Sequence, residues 1–178
     1  DATGDQRFLE EEAWPVLSGV ADWFVSRVSR TGRGFELLRS MGPAEVPTPP
    51  DNDAFSLMAG AEVLRRALRV SERLRRPAPD AWKRVLADLY LPVRSDGVIA
   101  AHDDYARREE KGATPCPLPG LFPYDYPASP SVSRKTLAFY LKLWPDYVGS
   151  PMLPALYCVW AAMAGDRGGV EVFAAVAA

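Results

Sequence analysis

Two neighbouring stretches hold the residues best placed to do chemistry. Met41-Gly42-Pro43-Ala44-Glu45 carries one carboxylate on a segment stiffened by proline, and Asp51-Asn52-Asp53-Ala54-Phe55 follows a few residues later. A carboxyl group fixed on such a loop, between two long helical patterns, can give or take a proton. Asp51 and Asp53 are near enough in sequence to raise its proton affinity by repulsion, and equally suited to capping the helix that begins beside them. Residue type leaves both readings open, and on residue type alone Glu45 is an ordinary solvated loop glutamate.

The other usual chemistries find little to work with. His102 is the single histidine, and Cys116 and Cys158 are the only cysteines. A Ser-His-Asp triad, a histidine-based zinc site and a disulfide framework therefore find little support. Gly32 and Gly34 are too isolated for a phosphate loop, and no metal or cofactor is expected. A net charge of −2 and a pI near 5.5 give no drive toward nucleic acid or an anionic membrane. No apolar run approaches the ~18 residues of a membrane span, and no signal-like start is present, so the expected location is cytoplasmic. Asp1 stands where a methionine would begin a chain, and the apolar run Val172 to Ala178 has no cap. Residues 1–178 are accordingly expected to be one segment of a longer protein.

The elements that must position the loop follow from periodicity. Ala13, Leu17, Val20, Phe24 and Val28 make one stripe of a helix from about Gln6 to Val28, widened by Trp14, Ala21 and Val25, and Pro15 should kink it. Glu10, Glu11 and Glu12 then read as favourable charge near a helix N-terminus. Thr31 to Gly34 is a turn, and Gly34 to Leu38 reads as a short strand entering the Glu45 loop. Asp51 or Asp53 caps a second helix reaching about Leu74, with Leu57, Ala61, Leu64 and Leu68 inward. Its outer arginines, Arg65, Arg66, Arg69, Arg73, Arg75 and Arg76, lack interleaved aromatics, and Glu62 and Glu72 each stand four residues before one of them. That is the pattern of exposed helix ion pairs, not of a nucleic-acid face.

Asp80 is read as capping a third helix to about Tyr90, and Asp96-Gly97 sits in a turn with short extended flanks. Residues 103–130 form a long proline-rich connection, which in a compact domain is more often a binding loop than a spacer. Phe122, Tyr124 and Tyr126 within it could stack on sugar rings or pack beneath the loop. Three more helices follow, Ser133 to about Leu143, Met152 to Ala164 and Gly169 to the end, joined by short connections that make neighbours antiparallel.

A family likeness appears once these stretches are placed in order. Glu12 to Leu17 and Ala21 to Val28, then a hairpin, then Gly42-Pro43-Ala44-Glu45, then Asp51-Asn52-Asp53-Ala54-Phe55 resemble the central catalytic domain of glycoside hydrolase family 65. That family holds acid trehalases, protein-glucosylgalactosylhydroxylysine glucosidases, and maltose, trehalose and kojibiose phosphorylases. Lys111-Gly112-Ala113 stands where the family commonly has Lys-Gln-Ala-Asp; the lysine matches and the glutamine and aspartate do not. Ser131 to Leu137 is also similar to the family's next helix opening.

The resemblance implies an all-α fold, a portion of an (α/α)6 barrel of the six-hairpin glycosidase type, with about six of twelve helices and its long loops on one rim. It implies an inverting glycoside hydrolase acting on an α-glucoside or similar disaccharide, with Glu45 as general acid and Lys111 and Asn52 as substrate-binding residues. A disaccharide phosphorylase, with inorganic phosphate as second substrate, is the rival of the same class; a non-catalytic helical binding module is the rival of another. By analogy the base or phosphate site lies outside these residues, so the segment by itself is expected to be inactive and to associate through helix faces left without neighbours. The connections at 31–50 and 103–131 should approach one another.

Overall fold

The computed structural model describes residues 4–106, 113–147 and 152–178. The first helical run opens with Gln6–Phe8, capped by Asp5, widens into a π-turn over Leu9–Ala13, and continues as α1 (Trp14–Arg27). The widening answers Pro15. A proline nitrogen cannot donate, and its ring presses on the carbonyl four residues back. The Trp14 amide instead reaches Leu9 O, and the chain passes the proline with no break in the run.

Ser29–Thr31 (β1) and Gly34–Glu36 (β2) form a small antiparallel hairpin. Only its second strand was legible as a strand from residue type. α2 (Ala54–Arg73) begins at Asp53, whose carboxylate accepts from the Ser56 amide at 2.8 Å. α3 (Asp80–Ala87) corrects the sequence reading at both ends: Asp80 lies in the first turn, after Pro79, and the helix stops at Ala87, short of Tyr90. Residues 88–90 spend their backbone elsewhere. Asp88 O accepts from Phe35 N at 2.8 Å, and Tyr90 N donates to Phe35 O at 2.9 Å, so this stretch lies parallel to β2.

The proline-rich connection is not structureless throughout: residues 113–121 are buried and include the short helix α4 (Leu118–Leu121). Leu118 and Leu121 supply the apolar surface that draws it inward, and Gly120 lets it approach α2, because a β-carbon there would meet the Met58 side chain. α5 (Pro130–Lys142), capped by Ser129, α6 (Pro154–Ala164) and α7 (Arg167–Ala177), capped by Asp166, complete the chain; Gly165 in a left-handed conformation turns α6 into α7.

α2 is the shared wall of two cores. One side packs Leu57 and Leu64 against Ala21 and Phe24 of α1 and Trp82 and Val85 of α3. The other side sets Ala54 and Met58 against Ile99, Leu118, Tyr140, Tyr157, Trp160 and Phe173. On the outer side of α1 a stripe of Val16 (67% exposed), Val20 (41%) and Trp23 (60%) faces solvent.

The α1–α2 contact is close because position 60 has no side chain. A β-carbon on Gly60 would fall inside the Phe24 ring. Alanine favours a helix over glycine by about 1 kcal/mol, but forcing apart a packed contact costs roughly 1–3 kcal/mol, so the two effects oppose. We expect Gly60→Ala to lower stability modestly and Gly60→Leu to lower it by several kcal/mol, measured by thermal or urea unfolding. An unchanged melting temperature for Gly60→Leu would show that α1 and α2 do not meet at this point.

Candidate functional site

Glu45 is exposed, on the loop that leaves β2 and enters α2. The loop is long, yet its neck is narrow. Asn52 N donates to Leu37 O at 2.8 Å, Ser40 N to Pro50 O at 2.8 Å, Arg39 N to the Asp51 carboxylate at 2.8 Å, and Asp53 N to Ser40 Oγ at 3.1 Å. Both aspartates that could have acted on Glu45 by repulsion thus hold backbone amides, Asp51 at the neck and Asp53 at the helix start. Gly42 is needed inside the loop because a β-carbon there would collide with the Asp53 carboxylate.

Asn52 lies at the centre of the neck and is fully buried. Its backbone is left-handed, φ 59°, a conformation asparagine tolerates better than most residues. Its carboxamide is fully engaged with protein. Oδ1 accepts from Leu37 N at 3.1 Å; Nδ2 donates to Glu36 Oε1 at 2.8 Å and to Asp103 Oδ2 at 2.8 Å. The residue expected to touch substrate is therefore turned into the protein.

The two carboxylates that share this amide are held together by a cation. Arg33, at the hairpin turn, donates to Glu36 and, at 2.6 Å, to Asp103, while its guanidinium lies 4.3 Å from the centre of the Tyr90 ring and donates to Tyr90 Oη at 3.1 Å. Burial alone would push the Glu36 carboxyl up, but hydrogen bonds from Thr31, Asn52 and Arg33 and the Arg33 charge outweigh it, and Glu36 sits below its ordinary value. The Tyr90 hydroxyl is pushed up, by burial first and by the Asp103 charge second. Asp103 hydrogen-bonds through its own amide to Asp51 O at 3.0 Å, so the start of the 103–130 connection is stitched to the Glu45 loop.

The two rim connections also meet through apolar contact. Ala44, beside Glu45, packs with Ala101 and Cys116, against Phe55 and Tyr105. Phe55 in turn lies 5.5 Å, centre to centre, from Tyr124, and Arg65 lies 5.1 Å from the centre of the Tyr126 ring. Lys111, the other expected sugar ligand, lies outside the described residues. On the α1 side of the neck an open cavity of about 340 Å3 is lined by Trp23, Phe24, Arg27, Arg39, Met41 and Gly60, among others. Arg33, Glu36, Tyr90 and Asp103 were not singled out from the sequence: the nearest signal, Arg33 three residues before Glu36, crosses a turn and carries no helical periodicity.

The fold and the sequence both match known proteins. A solved structure assigned as a kojibiose phosphorylase from the human microbiome superposes with a TM-score of 0.72 over 95% of this chain and 31% of its own, at 11% identity. The fold is thus all-α and corresponds to part of an (α/α)6 barrel. The family model described as glycosyl hydrolase family 65 central catalytic domain matches residues 1–114, and the chain belongs to that family. Among curated relatives, a kojibiose hydrolase from Flavobacterium johnsoniae is 29% identical over 112 residues, 62% of this chain and 16% of its own length. One from Mucilaginibacter mallensis is 28% identical over 156 residues, 87% of this chain and 23% of its own. A protein-glucosylgalactosylhydroxylysine glucosidase from Mus musculus is 28% identical over 152 residues, 84% of this chain and 21% of its own. The chain spans about a fifth of the length of these relatives.

The lowered Glu36 carboxyl makes a prediction about acid stability. A group whose folded value is depressed contributes stability at pH above its unfolded value, near 4.5, and that contribution is lost as pH falls through the lower folded value. We expect the melting temperature to drop from about pH 4.5 downward, and Glu36→Gln to be less stable at neutral pH with a flatter acid limb. Parallel curves for the two proteins would show that Glu36 is not part of a charged cluster.

Proposed function

We propose that the protein containing this chain is an inverting glycoside hydrolase acting on an α-glucosyl disaccharide of the kojibiose type, with Glu45 as its general acid. The observation that carries this reading is the geometry of one loop: the glutamate of the family-like Gly-Pro-x-Glu stretch is exposed on a loop whose neck is held by buried hydrogen bonds. The sequence relatives at 28–29% identity are hydrolases or glucosidases by name, which favours water over phosphate as the nucleophile. The phosphorylase match, at 11% identity, speaks for the fold alone.

In an inverting mechanism the protonated carboxyl gives its proton to the glycosidic oxygen as the bond to the anomeric carbon breaks. Water, deprotonated by a second carboxylate roughly 6.5–9.5 Å away, attacks the opposite face. We assign the proton donor to Glu45 and the base to a part of the protein beyond these residues. Tyr124 and Phe122, both more than a third exposed, are aromatic faces on the 103–130 connection that a pyranose ring could cover.

Replacing Glu45 in the complete protein tests the assignment. Glu45→Gln preserves size and removes the transferable proton, so turnover of kojibiose should fall by about 10²- to 10⁴-fold. An aryl glucoside whose leaving group departs without protonation should be affected far less. Equal losses on both substrates, tracking a lowered melting temperature, would return the loop to a structural role.

A further inference from the structure

We propose that the cluster of Asn52, Glu36, Asp103 and Arg33 is a positioning device for Glu45, acting through the loop neck and never touching the sugar. The inference rests on the reading of Glu45 as the acid. Asn52 was expected to bind substrate; the structure gives its carboxamide a different occupation. Its three hydrogen bonds, at 3.1, 2.8 and 2.8 Å, go to groups that define where the loop begins and where the second connection begins.

The cluster can be satisfied in only one arrangement. One buried amide donates both of its protons, each to a different carboxylate, so neither carboxylate can shift without leaving an unmet donor in the interior. Two carboxylates sharing one amide would repel, and Arg33 supplies the charge that lets them share it. Arg33 is itself held by Tyr90, from the stretch that pairs with β2. Four chain segments, around residues 33–37, 52, 90 and 103, are thereby locked at the base of a loop whose free part carries Glu45. Proton donation depends on placement, and a displacement of about 1 Å at a reacting group can cost ~10²-fold in rate. The same lock fixes where the 103–130 connection leaves, and hence how the two rim connections face each other.

The test uses the complete protein, kojibiose and an activated aryl glucoside, with Asn52→Asp and Arg33→Ala as the perturbing variants. Asn52→Asp keeps shape and replaces the shared donor with a third acceptor. Arg33 is half exposed, so Arg33→Ala removes the charge with little loss of packing. Arg30→Ala is the control: Arg30 stands on the same hairpin, paired with Asp88 and lying over the Phe35 ring, away from Asn52 and Asp103. Each perturbing variant is expected to lower kcat on kojibiose about 10- to 100-fold with KM nearly unchanged, to cost less than about threefold on the activated substrate, and to add nothing further in a Glu45→Gln background. Arg33→Lys should recover part of the loss, and Arg30→Ala should leave the rate alone. The same factor lost with and without Glu45, or a raised KM alone, overturns the proposal. Amide hydrogen exchange of residues 38–50 gives a reading that does not depend on activity: faster exchange in Arg33→Ala is expected, and unchanged protection overturns the clamp whatever the enzyme does. If Glu45→Gln proves harmless while exchange does quicken, the functional reading fails and the clamp stands.

Discussion

The structure depends on one buried carboxamide. Asn52 carries no charge and sits in a backbone conformation most residues avoid, yet it joins the strand before the loop, the helix after it and the connection that follows α3. A buried amide is costly unless each of its donors and acceptors is met. At this position that requirement becomes specificity, because Leu37, Glu36 and Asp103 can all meet it only if three segments distant in sequence occupy fixed places. Hydrophobic burial makes the helices pack. It is non-directional and would tolerate a loop leaving at several angles; the hydrogen bonds at the neck choose one.

The charges around that amide belong to the same arrangement. Glu36 and Asp103 are brought together by it, and a lone pair of carboxylates in a largely buried setting would repel or bind a proton. Arg33 removes that alternative and adds the stacking contact with Tyr90. Its half-exposed position keeps the cost of desolvating its own charge low, so the pair is favourable where a fully buried one need not be. A similar economy appears on α2, where the buried Glu62 accepts from Arg65 at 2.8 Å and Arg66 at 2.7 Å. There the partners come from the same helix and fix only local geometry; at the neck they come from different segments and fix the site.

That contrast explains what could be read in the sequence. Asp53 as cap, Leu57 and Leu64 as inner positions, and the Glu62–Arg66 pair are all properties of one helix, and each leaves a mark within a few residues. The Gly-Pro-x-Glu loop was visible through its likeness to a family. Asp103 was not, because its partners stand at 33 and 52 and no period links them. The helix at Asp80 stops at Ala87 and not near Tyr90, because Phe35 claims the backbone of residues 88–90, a pairing with a distant segment that leaves no local mark. The prolines after residue 103 mark a long connection and leave its depth in the fold open. Proline prevents regular structure but does not prevent burial, and Leu118 and Leu121, with Gly120 giving close approach, drew that stretch under α2.

On the proposed function, the clamp bears on the placement of Glu45. A general acid needs a proton affinity near the working pH, which comes from burial or from a nearby negative charge. In this chain Glu45 is exposed, and the aspartates closest to it in sequence are engaged with backbone amides at the neck and the helix start. On that proposal the loop supplies the position of the carboxyl, through the bonds at its neck. A bound sugar would exclude water from the carboxyl, which disfavours the charged form. On that proposal the hydrogen-bonded neck would fix where the acid stands, and exclusion of water by the sugar would favour the protonated form.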